Sequence, residues 1–290
     1  MSSDAPPQLP LVSVGIPVYN EARFLAESLA SLLAQDYPKI EFIISDNAST
    51  DDTIDICEKA VTSDPRVRII RAKTNEGSTA NFQRCLDAAA GELFMWAGGH
   101  DLWSSNLVSH CVETLSRHPA AVIAVPESNW IDLSSQPFGE RAGILDTRGT
   151  EALARVFMLL WANMHAMYGL MRVSALRATG RIPNYSGADL VLLARMILQG
   201  DFVPASGTLW SRRQTRANED FKARQLRYHG SEFGIRKRGL ARILPVARMP
   251  YELLKTVWRS QLPTVDKIAF TLALPTQLPA RYLVARRRII

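Results

Sequence analysis

The stretch FMWAGGHDLW, residues 94–103, runs from an apolar segment into two glycines, a histidine and an aspartate. A short apolar run such as Phe94–Ala97 reads as an inner strand. Gly98, Gly99, His100 and Asp101 then stand at its carboxyl end. The glycines either form a tight turn facing water or let a ligand come close to the backbone. Three earlier segments have the same form. LVSVGIPV (11–18) is followed by Tyr19-Asn20-Glu21, IEFIIS (40–45) by Asp46-Asn47, and VRIIRA (67–72) by Asn75-Glu76-Gly77. ELFMWA (92–97) is the fourth strand.

Helices are expected between these strands. From Glu21 to Gln35, Phe24, Leu25, Leu29, Leu32 and Leu33 form one apolar stripe, with Asn20 as a candidate cap. Ser49 and Asp52 fit a capping box before a helix that buries Ile54, Cys57 and Val61. Gly77 opens a third helix with Phe82, Cys85, Leu86 and Ala89 on one face. Such β-α alternation implies a parallel sheet covered by helices on both faces. In open sheets of this kind ligands bind at the carboxyl ends of the strands. Loops are polar in any case, but four polar clusters converging on one edge carry more weight than any single motif.

Beyond residue 104 the pattern loosens. AAVIAV (120–125) is a further strand, 134–149 is loop-like, and a helix is expected over about 150–161. ADLVLLARMILQG (188–200) is a helix with a glycine stop, and DFVPASGTLW returns as one or two short strands. No internal repeat or low-complexity segment is present.

The 290 residues are 47% apolar and 21% charged, enough for a sizeable core. Cys57, Cys85 and Cys111 have no close metal-ligand spacing, and an odd count speaks against a disulfide framework. The opening MSSDAPPQLP lacks a basic region followed by an apolar one, so no secretory signal is expected. No apolar run is long enough to span a bilayer. The net charge of +6 is unevenly distributed: residues 221–290 hold 15 Lys and Arg against 3 Asp and Glu. That tail reads as basic amphipathic helices interrupted by prolines, suited to an anionic membrane surface. Nucleic acid is not an expected partner, since the basic residues are not interleaved with stacking aromatics.

The first strand-helix turn is neither GxGxxG nor a P-loop. Asp46 can still accept from a ribose or a base N–H. Asn75 and Gly77, at a helix start, offer an amide and close backbone approach for an anion, and Arg84 lies two turns along that helix. Each also has a plain structural reading, as a cap for Asp46 and Asn75 and as a solvated face for Arg84.

The blocks VSVGIPVYNEARFLAESLASLLAQDYP, EFIISDNASTDDT, TNEGSTANFQRCLDAAAGELFMWAGGHDLW, YGLMR and GADLVLLARMILQGDF together resemble a family 2 inverting glycosyltransferase of the GT-A fold. The resemblance covers about residues 11–213 and implies an α/β fold, Rossmann-like, with a mostly parallel sheet flanked by helices and a C-terminal helical extension. It implies that residues 1–103 form the nucleotide-sugar-binding half, 104–220 the acceptor-binding half, and 221–290 the basic extension. Pro17, Tyr19, Glu21 and Asp46 would hold the base and ribose, and the segment matching Asn75–Arg84 would line the nucleotide pocket.

The family's Asp-x-Asp motif, which binds a divalent ion bridging the donor phosphates, is altered. Gly98 stands for its first aspartate; only Asp101 remains as a carboxylate, beside His100. The resemblance thus leaves His100 and Asp101 as the expected ligands of Mn²⁺ or Mg²⁺, with imidazole better tolerated by Mn²⁺. Gly98 and Gly99 would let the sugar or ribose rest on the backbone. Asp189 occupies the place of the family's general base, at a helix start where the dipole favours the charged form. Arg212 and Arg213 are candidates for the leaving diphosphate, and Gln214 stands near a position where many relatives carry a histidine ligand.

The expected activity is transfer of a sugar, with inversion, from a nucleoside-diphosphate sugar with a UDP-like base to a glycan or lipid-linked acceptor. Polysaccharide or cell-surface glycan synthesis, in the cytoplasm or on the inner face of the membrane, is the expected setting. The alternative is a nucleotide-sugar-binding protein that has lost catalysis. A nucleotidyltransferase is disfavoured, because GIPVYNEAR lacks the Gly-rich, Lys-containing loop of that chemistry.

Overall fold

The computed structural model describes residues 9–142, 145–185, 187–215 and 248–287. The four expected strands form as β1 (Val12–Val18), β2 (Ile40–Asp46), β3 (Val67–Arg71) and β4 (Leu93–Trp96). They lie in the order β3-β2-β1-β4, all parallel. Side chains alternate across the sheet. Val12, Val14, Ile16, Val18 and Met95 face one core, whereas Ile43, Phe94 and Trp96 face the other.

The linking helices are α1 (Ala22–Leu33), α2 (Thr53–Ser63) and α3 (Ser78–Ala88). α1 buries Leu25, Leu29 and Leu32, each contributing about 1.5–3 kcal/mol relative to exposure. The expected caps do not form. Neither α1 nor α2 has a side-chain cap hydrogen bond. Asn20 Oδ1 instead accepts from Thr50 N at 2.8 Å, and Ser49 Oγ donates to Asp46. Both polar side chains serve loop-to-loop ties rather than helix ends.

The second half continues with β5 (Leu102–Trp103), α4 (Leu107–Arg117), β6 (Ala121–Ile131), β7 (Pro137–Ala142), α5 (Ala152–Trp161), a short 3-10 helix at Met164–Tyr168, β8 (Leu170–Arg172), α6 (Val173–Ala178), α7 (Ala188–Ile197) and β9 (Asp201–Arg213). The sheet extends as β4-β8-β6-β9-β5, with β7 on β6. Here it is mixed: β6 and β9 pair in parallel, but β8, β7 and β5 run antiparallel to their neighbours. The expected loop over 134–149 contains β7. The expected short return is one strand of 13 residues. β6 and β9 shift register between Pro126 and Ser128.

Two further helices follow, α8 (Arg248–Arg259) and α9 (Thr264–Arg287). Prolines were expected to break the tail, yet α9 continues through Pro275 and Pro279. Tertiary packing offsets the lost backbone bonds: Met249, Leu253, Val257, Phe270, Leu274 and Leu278 join the core formed by α3, α5, α6 and α7. The described part of the extension is thus built into one helical layer. The rest of the expected basic segment, 221–247 and 288–290, lies outside the described residues. No described helix is long and apolar enough to cross a membrane.

Candidate active site

The first wall of the site lies at the carboxyl ends of β1, β2 and β3. Asn20 (φ 52°) and Ala48 (φ 63°) both adopt left-handed backbone, which is uncommon for a residue with a side chain. The two loops hold each other: Asn20 N donates to Ser49 Oγ at 3.0 Å, and Ala22 N to Asp51 Oδ2 at 3.2 Å. Asp46 is buried and accepts from Ser49 N and Oγ. Asn47 Nδ2 donates to Asn75 Oδ1 at 2.8 Å, and Asn75 Oδ1 also accepts from Gly77 N at 2.9 Å. Arg84 Nη1 reaches Ser45 Oγ and Asn81 Oδ1, and its Nη2 pairs with Glu76. Asn47, Asn75 and Gly77 are linked to one another, Glu76 N donates to Asn47 Oδ1 and so brings Arg84 into the same group, and Asp46 is tied separately to Ser49. Pro17 is half-buried in β1, and Tyr19 is exposed beside Asn20.

A Cβ on Gly98 would lie 2.8 Å from Asp101 Oδ2, and one on Gly99 would lie 3.0 Å from Val18 Cγ1. The glycines make room for the protein's own groups: the carboxylate folds back over the turn, and the turn packs on β1. This replaces the expectation that a sugar rests on Gly98 and Gly99. His100 Nδ1 is 3.2 Å from Glu21 Oε2, while Nε2 is 3.8 Å from Asp101 Oδ1. Glu21 and the turn are thereby brought together.

Asp101 is buried, and both its oxygens are engaged: Oδ2 accepts from Trp210 Nε1 and Oδ1 from Arg213 N, each at 2.9 Å. Arg213 is itself buried. It donates to His100 O, Asp132 O, Ser135 Oγ and Glu27. As arranged, His100 and Asp101 do not fit a divalent ion: the Asp101 carboxylate has neutral N–H partners on both oxygens, the His100 ring faces Glu21, and a guanidinium lies against the same turn. Among the described residues no group of three or more His, Cys, Asp or Glu is placed to hold a metal. Arg213, expected at the diphosphate, is instead a brace within the protein.

The second wall is aromatic and cationic. The antiparallel pairing of Trp103 with Trp210 stacks their rings at 5.6 Å. Tyr168 lies 4.5 Å and His165 5.5 Å from the Trp210 ring. Arg212 is half-buried, 4.4 Å over Trp130 and 5.1 Å over Trp210, and its Nη1 is 2.6 Å from His165 Nε2. Trp130, His165, Trp210 and Tyr168 were not singled out from the sequence; YGLMR alone hinted at Tyr168.

Asp189 stands in the first turn of α7, after Gly187 (φ 85°). Its Oδ1 accepts from Leu190 N at 2.9 Å. Burial raises its pKa, against the opposing pull of that N–H and of the Arg281 charge. The helix start favours the charged form, and burial of the carboxyl acts against it. Arg281, on α9, donates to Leu159 O and Leu160 O at the end of α5. α7 packs on the 3-10 helix that carries His165 and Tyr168.

Residues 13–180 match the profile of glycosyl transferase family 2. The chain belongs to this family. EpsE of Bacillus subtilis is 37% identical over 110 residues, 38% of this chain and 40% of that protein. The chain spans about 40% of the length of the curated relatives it matches. Among solved structures, S. aureus TarS in complex with UDP-GlcNAc superposes with a TM-score of 0.68 over 94% of this chain and 73% of that one, at 15% identity. A mannosyltransferase from Pyrobaculum calidifontis, in complex with GDP-Man and Mn²⁺, gives 0.56 over 96% and 74%, at 18% identity. At such identities the likeness establishes the fold, which is that of the GT-A glycosyltransferases.

Proposed function

We propose that this family 2 protein transfers a sugar from a nucleoside-diphosphate sugar to an acceptor hydroxyl with inversion. The observation that carries the reading is Asp189: a carboxylate at the start of a helix that packs on the 3-10 helix carrying His165, with its pKa raised by burial. A raised pKa suits a general base. The acceptor O–H gives its proton to Asp189 as its oxygen attacks the anomeric carbon. The bond from that carbon to the phosphate oxygen breaks on the opposite face, and the diphosphate leaves with the electron pair. The loops around Asp46 and Asn75 hold the nucleoside, with Pro17, Tyr19 and Glu21 at their edge. Arg212 receives the diphosphate charge. The donor set of His100 and Asp101 does not fit an ion, so no step is assigned to a metal.

The solved relatives carry UDP-GlcNAc and GDP-Man, which supports a nucleotide sugar as donor here. The division into a nucleotide half (1–103), an acceptor half (104–220) and a C-terminal extension (221–290) follows from the same reading. A glycan or lipid-linked acceptor in surface-polysaccharide synthesis is supported by α8 and α9. They expose Tyr251, Trp258, Val265, Ile268 and Leu272 alongside Arg259, with Lys267 half-buried among them, a mixture suited to the inner surface of an anionic membrane. Trp258→Ala/Ile268→Ala is expected to lower cosedimentation with anionic vesicles and to leave the small amount bound by neutral vesicles unchanged. Equal recovery on both would remove the membrane contact.

Sugar release and transfer with UDP and GDP sugars, in wild type and Asp189→Asn, test the reaction. The variant is expected to bind donor normally and to lose about 10²–10⁴-fold in turnover. The binding-only alternative is favoured by the full engagement of Asp101. Donor binding without turnover in wild type would establish it.

A further inference from the structure

His165 belongs to no expected motif, yet its ring is placed more strictly than any expected site residue. It is 8% exposed, and both nitrogens have partners. Nε2 lies 2.6 Å from Arg212 Nη1, and Nδ1 lies 2.7 Å from Ser128 Oγ. A guanidinium only donates, so Nε2 must be the accepting nitrogen. The proton is then on Nδ1, which donates to the Ser128 hydroxyl. Burial first, and the Arg212 charge second, push the His165 pKa down to about 3, so the ring is neutral at physiological pH.

Arg212 has its position defined on three sides. Trp130 lies on one side at 4.4 Å, Trp210 on another at 5.1 Å, and His165 meets one edge. Strand register makes this arrangement: Ser128 pairs with Trp210 and Trp130 with Arg212 across β6 and β9. The next residue, Arg213, uses its backbone N–H on Asp101, so the guanidinium is held where the chain meets the GGHD turn. A neutral acceptor leaves the full positive charge on Arg212, whereas a carboxylate in place of His165 would cancel much of it.

We infer that His165 is a positioning residue: its imidazole aligns Arg212, between Trp130 and Trp210, to receive the diphosphate of a nucleotide donor. This rests on the proposed donor reading. Calorimetric binding of UDP and GDP, and of uridine and guanosine, tests it in wild type, His165→Phe, His165→Asn, Arg212→Gln and the double variant His165→Phe/Arg212→Gln. Asparagine can keep a contact with Ser128 but is too short to reach Arg212, and it serves if the phenylalanine variant fails to fold. Each His165 variant is expected to weaken the preferred diphosphate about tenfold and to leave its nucleoside unchanged. The double variant is expected to be no weaker than Arg212→Gln alone. Diphosphate affinity equal to wild type in a folded His165 variant, or equal losses for diphosphate and nucleoside, overturns the inference while leaving the donor reading in place. Failure of wild type to bind either diphosphate sinks the donor reading itself.

Discussion

The two walls of the candidate site are built from different materials. Around β1, β2 and β3 the polar groups are mainly neutral amides and hydroxyls: Asn20, Ser45, Asn47, Ser49, Asn75 and Asn81 bond one another or the backbone. On β5, β6, β9 and the 3-10 helix they are aromatic rings and guanidinium groups: Trp103, Trp130, Tyr168, Trp210, Arg212 and Arg213. Under the proposed function the difference matches two tasks. Neutral donors and acceptors on short loops can match a base and ribose without a large desolvation cost. A diphosphate needs positive charge held rigidly in a site with little water. The second wall is also where a titratable ring is kept neutral by force, so it is the more vulnerable of the two.

Trp210→Ala should separate the walls most sharply. It empties the space of a fully buried indole and leaves Asp101 Oδ2 without its N–H partner. A loss of about 3–5 kcal/mol in urea unfolding is expected; a loss within 1 kcal/mol, roughly, would show that the aromatic wall does not hold the turn. Acid comes next. A histidine with a depressed folded-state pKa contributes stability above its unfolded value of 6.5, and that stability is lost as pH falls toward the folded value of about 3. Wild type should lose up to about 1.4 kcal/mol per pH unit over that window from this group. His165→Gln should show a flatter acid limb, and parallel limbs would discount the buried ring. The smallest effect belongs to the first wall. Asn20→Ala removes the acceptor of Thr50 N and places a less tolerant residue at φ 52°. A cost of about 1 kcal/mol is expected, with nucleoside binding weakened and the acid limb unchanged.

The first wall could be read from the sequence because its signals are local. Each strand is a short apolar run, each polar cluster follows directly, and neighbouring loops meet because successive strands are neighbours in a parallel sheet. Asp46, Asn75 and Gly77 are placed at the strand ends in this way, with Arg84 on the helix that follows. Asp189 was reached through the resemblance of its surrounding block rather than through any pattern of its own. Asn20 and Ser49 were located but misassigned as caps, since capping residues and loop ties use the same side chains.

Sequence alone determined the β-α alternation, the edge where polar groups gather, and the loss of the first carboxylate at Gly98. Only the tertiary structure decided what the remaining carboxylate does. Asp101 is held by Trp210 and Arg213, more than 100 residues away in the chain, and that pairing depends on the register of β5 and β6 with β9. The burial of Asp189, the neutral ring of His165 and the inclusion of α8 and α9 in the core have the same origin. Hydrophobic periodicity tells which face of an element is buried. It does not say which distant element covers that face, and the charge state of a buried group depends on that cover.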